Sequence, residues 1–255
     1  MPPDLSPIDH AKYVCARRAA DMVETGMRVG LGTGSTAVFL VKRLGERVRE
    51  EGLRIRAVPT STRTAELARE EGIEVVSLDA AKWLDLTIDG ADEFDPQLAL
   101  IKGGGGALLQ EKIVATASDR MVVIADRGKV VDTLGAFPLP IEVIPFGWQT
   151  TRTLVEEMLM SMDVQGRSGK LRTAGEAPFR TDESNYILDF ELGRIGAPAH
   201  LALALNQIPG VVENGLFVDI CDEVIIGYGD GRTEVRARAA AEGGETGSLF
   251  ADLPD

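Results

Sequence analysis

Short apolar runs alternate along the first half of the chain with longer stretches in which apolar residues recur every third or fourth position. The first pattern reads as buried strand, the second as amphipathic helix. Residues 7 to 25 have helical spacing, with Pro7 in the first turn and Gly26 past the end. "MRVGLG" is a strand that runs into "GLGTGST", and a helix follows to about residue 50. The strand "RIRAVPT", the helix "TAELAREEG" and the strand "IEVVSL" come next. Two more strands, "LDLTID" and "LALIKG", lead to a helix after the glycines at 103–106, and "RMVVIAD" closes the series. This alternation predicts a doubly wound, mostly parallel sheet, and the near-continuous apolar strands fit burial on both faces.

From about residue 133 the texture changes. "LPIEVIP" reads as a connecting strand, followed by a helix over 147–161, strands at "GKLRTAG" and "NYILDFEL", and a helix in "PAHLALALNQIPG" ending at Pro209 and Gly210. The predicted organisation is an α/β domain made of residues 1–132 and 210–231, a smaller α+β unit over 133–209, and a flexible tail over 232–255. "DEVIIGYGDG" is the strand that returns to the main sheet.

Composition narrows the ligand. The formal net charge of −13 argues against nucleic acid or an anionic membrane as partner. A phosphorylated small molecule would then need a local positive field made by the site itself. Cys15 and Cys221 form no metal spacing and no disulfide framework, which fits a reducing compartment. No basic-then-apolar leader opens the sequence and no apolar run reaches about 18 residues, so a cytoplasmic protein is expected.

"GLGTGST" places Gly30, Gly32 and Gly34 between a strand and a helix, where free amides face an anion. A dinucleotide site would need its third glycine one place later and an acid at the end of the next strand, but that strand ends in "VPTST". The same missing acid counts against a nucleoside-binding methyltransferase. No G-K-[ST] follows, so this is not a P-loop. A tight turn without ligand is the plain alternative. Ser35 and Thr36 add hydroxyls beside the amides and favour phosphate or sugar oxygens.

"LTIDGADEFD" ends a strand with Asp89, Gly90, Ala91, Asp92 and Glu93. It reads as an ordinary acidic turn, a magnesium site, or part of a site at the carboxyl end of a parallel strand. "LALIKGGGG" delivers Lys102 at the end of another strand. Four consecutive glycines cost conformational entropy, which is justified where backbone amides must approach a ligand. Lys102 and the amides of Gly103, Gly104 and Gly105 thus form an oxyanion hole in sequence form. Glu111, on the first turns of the next helix, supplies a carboxylate beside it, as proton abstraction next to a carbonyl requires. The chain has only seven lysines, yet Lys102, Lys112 and Lys129 fall in this one stretch.

"GLGTGST", "DGADE" and "KGGGGALLQEKI", followed by "ADRGKVVDTLGAFPLPIEVIP", closely resemble the A-type ribose-5-phosphate isomerases from about His10 to Gly231. The resemblance implies interconversion of ribose 5-phosphate and ribulose 5-phosphate through a cis-enediolate, without metal or organic cofactor. It implies that Thr33, Gly34, Ser35 and Thr36 line the substrate site. Asp89, Gly90, Ala91 and Asp92 form its acidic wall, with Asp89 assisting ring opening and Asp92 holding hydroxyls. Lys102 and Gly103 to Gly105 bind oxygens at the reacting carbons, Glu111 shuttles the proton between C2 and C1, and Lys129 meets the phosphate. A Rossmann-like main domain, a ferredoxin-like smaller domain and a homodimer or homotetramer follow by the same resemblance.

Two stretches depart from the family pattern. "TDESNYILD" stands where an Asp-Asn-Gly-Asn turn is usual, so the loop at Glu183 and Ser184 is expected to differ in shape, and "FGWQTT" after Pro145 is unusual. A related class acting on phosphorylated amino sugars relies on a histidine, and here His10 and His200 both lie away from the glycine loops. A non-catalytic sugar-phosphate sensor would keep the anion loops but has no use for Glu111 beside the nest.

Overall fold

In the computed structural model, which describes residues 5–238, Ser6 caps the first helix by accepting from the Asp9 amide, and Pro7 takes the first helical position. The chain then runs α1 (Pro7–Ala20), β1 (Arg28–Leu31), α2 (Ser35–Glu50), β2 (Arg56–Pro59), α3 (Thr62–Glu70), β3 (Glu74–Val75), α4 (Leu78–Ala81) and β4 (Leu86–Asp89). Two short strands, β5 (Glu93–Phe94) and β6 (Leu100–Ile101), precede α5 (Leu108–Thr116) and β7 (Met121–Asp126). The second half carries β8 (Leu139–Val143), α6 (Trp148–Met158), β9 (Ser168–Leu171), β10 (Thr173–Ala174), β11 (Ala177–Pro178), β12 (Tyr186–Glu191) and α7 (Pro198–Leu205). It ends with β13 (Val211–Asn214), β14 (Leu216–Phe217), β15 (Glu223–Gly227) and β16 (Thr233–Ala237).

The main sheet has the order β16-β15-β7-β4-β1-β2-β3, parallel throughout except for the antiparallel β15–β16 pair. From β1 the chain builds outward to β2 and β3, then crosses back to place β4 on the other side of β1. That reversal opens a crevice at the carboxyl ends of β1 and β4, where open α/β sheets bind their ligands. The smaller sheet, order β13-β8-β12-β9, is antiparallel and is crossed by α6 and α7, a ferredoxin-like arrangement with its own core around Ile141, Phe190 and Leu205.

Three sequence expectations change. The strand containing Leu100 and Ile101 does not join the parallel sheet: it pairs antiparallel with β5 and β14 in a separate three-stranded sheet. Pro96 and the left-handed Leu98 (φ 61°) make the turn that folds it back on β5. Residues 210–231 return to the main sheet only from β15 onward, because β13 pairs with β8 and β14 with β6. Thr233–Ala237, assigned to the tail, is an edge strand whose ladder covers the open side of β15. The rest of the tail expectation, from residue 239 on, lies outside the described residues.

Candidate active site

The crevice is built by glycines with different tasks. A Cβ on Gly32 would lie 1.9 Å from Asp89 Oδ1, and one on Gly30 would lie 2.0 Å from Thr87 Oγ1. Both must therefore be glycine if β1 and β4 are to meet at this distance. Gly34 adopts φ 119° as the N-cap of α2 and leaves that helix without a side-chain cap. The first amides of α2, at Ser35 and Thr36, thus open toward the crevice. Thr33 is the joint of the loop. Its amide donates to Asp89 Oδ1 at 3.1 Å, while its hydroxyl lies 2.8 Å from both Thr60 Oγ1 and Ser61 Oγ and 3.3 Å from Thr64 Oγ1. "VPTST", notable in sequence only for lacking an acid, supplies this buried hydroxyl cluster. Its signal was a run of hydroxyl residues at a strand-to-helix turn.

At the end of β4 lies a closed charge cluster. Lys102 Nζ is 2.8 Å from Asp89 Oδ2, 3.2 Å from Glu111 Oε2, and donates to the Gly90 carbonyl at 2.6 Å. The Gly90 carbonyl takes the hydrogen bond, while Asp89 Oδ2 and Glu111 Oε2 stand as ion-pair neighbours and have no hydrogen-bond donor of their own among the described residues. The sequence expectation of a bare positive charge pointed at substrate is thereby refined, since Lys102 exerts its charge while locked between two carboxylates. Asp89, Lys102 and Glu111 are all buried, at 0, 2 and 2 % exposure. Burial opposes the charge on Lys102, but Asp89 and Glu111 more than reverse this and hold its pKa above the ordinary value. Burial raises the Asp89 carboxyl, against the pull of Lys102 and of the Gly90 and Thr33 amides. Glu111 is pushed up to about 8, by burial first and then by the nearby Asp89 and Asp92 charges, with Lys102 acting in the opposite sense.

The glycine run is less open than its sequence suggests. Gly103 and Gly106 have φ of 104° and 83°, and the Gly106 amide closes a turn onto the Gly103 carbonyl at 3.0 Å. The Gly104 amide donates to Asp92 Oδ2 at 2.7 Å, so Asp92 occupies one place in the nest, while Gly103 and Gly105 line the cavity. Lys112 does not join the site. Its ammonium lies 2.8 Å from Glu213 Oε1 and donates to the Asn214 carbonyl at 2.7 Å, away from the glycine run.

Thr33 to Thr36, Gly90 to Asp92, Lys102, Glu111 and Lys129 all border one cavity of about 330 Å³, whereas Asp89, expected in its acidic wall, is fully buried and does not border it, and neither does Gly104, whose amide is turned to Asp92. Lys12 borders it too, and sequence reading missed it, because nothing local ties α1 to the glycine loops. The link is Gly227, where a Cβ would lie 1.9 Å from the Ala11 carbonyl oxygen. Its bare backbone lets α1 settle on β15 and brings Lys12 to the cavity rim. Among the described residues no group of three or more His, Cys, Asp or Glu side chains is placed to hold a metal ion, and no helix is long and apolar enough to cross a membrane.

A doubly wound sheet with a cavity at its switch point, bordered by a buried carboxylate and a buried ammonium, has the form of an α/β enzyme acting on a small molecule. The family model for ribose 5-phosphate isomerase A (phosphoriboisomerase A) matches residues 56–231. The chain belongs to this family, whose members interconvert ribose 5-phosphate and ribulose 5-phosphate. A relative named ribose-5-phosphate isomerase A from Ruegeria sp. (strain TM1040) is 70 % identical over 100 % of both chains. A structure of ribose 5-phosphate isomerase from Plasmodium falciparum superposes with a TM-score of 0.86 at 34 % identity, covering 91 % of this chain and 100 % of that one. A D-ribose-5-phosphate isomerase in complex with phospho-erythronic acid gives 0.84 at 40 % identity, over 91 % of this chain and 99 % of the other.

Proposed function

We propose that this chain performs the family's aldose–ketose isomerisation with Glu111 as the shuttling base, and that the observation carrying this is the Glu111 carboxylate: buried, raised to about 8, and lining the cavity beside an ammonium. The phosphate end of the open-chain sugar lies between Lys12, Lys129 and the amino end of α2, which together supply the local field that the acidic chain needs. The reacting carbons then reach the inner end, at Lys102 and Glu111. Glu111 takes the proton from C2 of ribose 5-phosphate. The C2–H electron pair forms the C1–C2 double bond, and the carbonyl pair moves onto O1. Lys102 and the glycine-run amides hold the negative charge of this cis-enediolate. Glu111 then returns the proton to C1, the proton on O2 transfers to O1, and O2 becomes the carbonyl of ribulose 5-phosphate. Asp89 assists opening of the ring through Lys102, with which it is paired at 2.8 Å, and Asp92 holds sugar hydroxyls once it exchanges the Gly104 amide for them.

Other parts of the reading rest on separate observations. The chain forms a homodimer or homotetramer, as the resemblance to the family implies, and an interface that covered Phe146, Met160 and Leu203 of the smaller unit, 89, 70 and 69 % exposed, would remove their apolar surface from water. Cys15 and Cys221 are free and buried, in keeping with a cytoplasmic protein.

The test of the base is Glu111→Gln, which keeps the size of the side chain but removes the proton acceptor. Turnover should fall by at least about 10³, together with exchange of the C2 deuterium of labelled substrate, while ribose 5-phosphate still binds. Near-normal turnover would transfer the role to Asp89 or Asp92.

A further inference from the structure

The glycine run is gripped from outside by a side chain of the smaller unit. Arg172, which follows β9, donates through Nη1 to the carbonyls of Gly103 at 2.9 Å and Gly104 at 3.2 Å. Its Nε and Nη2 are held by the two carboxylate oxygens of Asp189 on β12, at 2.8 and 2.5 Å, so the guanidinium plane is fixed. The Phe179 ring lies 5.8 Å from the guanidinium carbon, and a Cβ on Gly106 would come within 2.5 Å of that same ring. Both ends of the run are thereby clamped by the smaller unit.

Peptide planarity converts the grip into an orientation. In a trans peptide the C=O and the following N–H point in opposite directions, and no peptide among the described residues is cis. With the Gly103 and Gly104 carbonyls drawn to Arg172, the amides of Gly104 and Gly105 face the other way. The Gly104 amide meets Asp92 Oδ2 on that side, and Gly105 borders the cavity. Glycine populates both signs of φ about equally, so the run has no side chain to favour this arrangement over the flipped one: the Gly106 amide and Asp92 help Arg172 hold the Gly103–Gly104 peptide, but among the described residues the Gly104–Gly105 peptide is held by Arg172 alone. The flipped peptides would aim carbonyl oxygens, not amides, at a developing enediolate.

We infer that Arg172 is a positioning residue of the isomerisation: it sets the peptide planes of the glycine run so that their amides face the reacting oxygens, and it touches no substrate atom. The inference rests on the reading of that run as the nest for the enediolate. It adds a device in the smaller unit on which the chemistry in the larger one depends.

The test uses Arg172→Met, which keeps the stem and removes the donors, and Arg172→Lys, which keeps a cation able to reach one carbonyl. The measurements are kcat and KM for ribose 5-phosphate, the melting temperature, and the Kd values of phospho-erythronic acid and of inorganic phosphate. Phospho-erythronic acid carries a carboxylate that presents two oxygens as an enediolate does, whereas inorganic phosphate reports only the phosphate end. For Arg172→Met, kcat should fall by about 10- to 10²-fold, less than outright loss of an oxyanion donor. Affinity for phospho-erythronic acid should fall by a similar factor, inorganic phosphate should bind within about twofold of the parent, and Arg172→Lys should recover part of both losses. Equal weakening of both ligands, or unchanged turnover, overturns the positioning role. If Arg172→Met does not fold, Arg172→Lys and Asp189→Asn must show the same selective loss, and its absence there overturns the role equally. The two readings separate cleanly: an active Glu111→Gln removes the site assignment itself, whereas an inactive Glu111→Gln beside a fully active Arg172→Met removes only the positioning role.

Discussion

Lys102 Nζ stands 3.2 Å from Glu111 Oε2 with both side chains buried, so the ammonium and the proposed base are one electrostatic unit. Burial pushes the Glu111 carboxyl from an ordinary 4.5 to about 8, and Lys102 limits the rise. A base must be unprotonated in the free enzyme to act. kcat/KM for ribose 5-phosphate should therefore climb with pH and level off above an apparent pKa near 8, a value belonging to the coupled cluster. Stability should run the other way. Below 4.5 the carboxyl is protonated whether the chain is folded or not. Between 4.5 and about 8 the folded protein holds a proton that the unfolded chain has released, so this group's contribution is lost as pH rises through that window. Activity and denaturation measured at matched pH check both signs, and a flat kcat/KM from pH 6 to 9 contradicts the assignment.

Replacing Lys102 with Met tests the unit from its other side. Two buried carboxylates would lose their shared counter-charge, which typically costs about 3–5 kcal/mol. Turnover should fall by about 10² to 10³, the scale for loss of one oxyanion stabiliser. The acidic limb should also move above pH 8, because Lys102 is what lowers the Glu111 value. Lys129→Ala, at the cavity rim, should act through KM instead. A Lys102→Met enzyme altered only in KM would make the ammonium a ground-state binder.

What the sequence made legible, and what it did not, divides along contact range. The βα turn at Gly30–Thr36, the strand end at Asp89 and the helix carrying Glu111 are local patterns, and period and glycine spacing identify them. Lys12 and Arg172 reach the site through packing of distant segments, α1 on β15 and the smaller unit on the glycine run, which no local periodicity encodes. The groups around the Lys102 ammonium likewise come from positions 89, 90 and 111, and only the fold reveals that it is paired with two carboxylates. β6 misled for a related reason. A short apolar run looks the same in a parallel sheet and in a hairpin, and the turn at Leu98 decides between them.

Chelation probes the acidic loop. Asp89 is committed to Lys102 and to the Thr33 and Gly90 amides, and Asp92 accepts from Gly104. Isomerisation should accordingly continue at its full rate after dialysis against EDTA, followed in a coupled assay. Loss of activity that magnesium restores would return Asp89 and Asp92 to the role of metal ligands.

The loop at Glu183 and Ser184, where the Glu183 carboxylate accepts from the side-chain amide of Gln110, offers a stability test. Ser184 adopts φ 66°, in the left-handed region where a Cβ costs roughly 1–2 kcal/mol and glycine pays nothing. The turn is nevertheless well tied: the Ser184 amide donates to the Thr181 carbonyl at 2.8 Å, and the Thr181 amide to the Asn185 carbonyl at 3.0 Å. Behind it, buried Glu142 accepts from the Thr181 hydroxyl at 2.9 Å and the Asn185 side-chain amide at 3.0 Å. These bonds hold the serine in a conformation that its own side chain disfavours. Ser184→Gly should relieve that strain, while the added freedom of the unfolded chain takes back about 0.4–1 kcal/mol. The net expectation is a gain of up to about 1 kcal/mol in urea denaturation, with kcat and KM for ribose 5-phosphate unchanged. The hydrogen bonds use backbone atoms of residue 184 and side chains of its neighbours, so the substitution leaves them intact. A loss of stability would mean that the serine hydroxyl itself carries the turn, and the left-handed strain would then be the smaller effect.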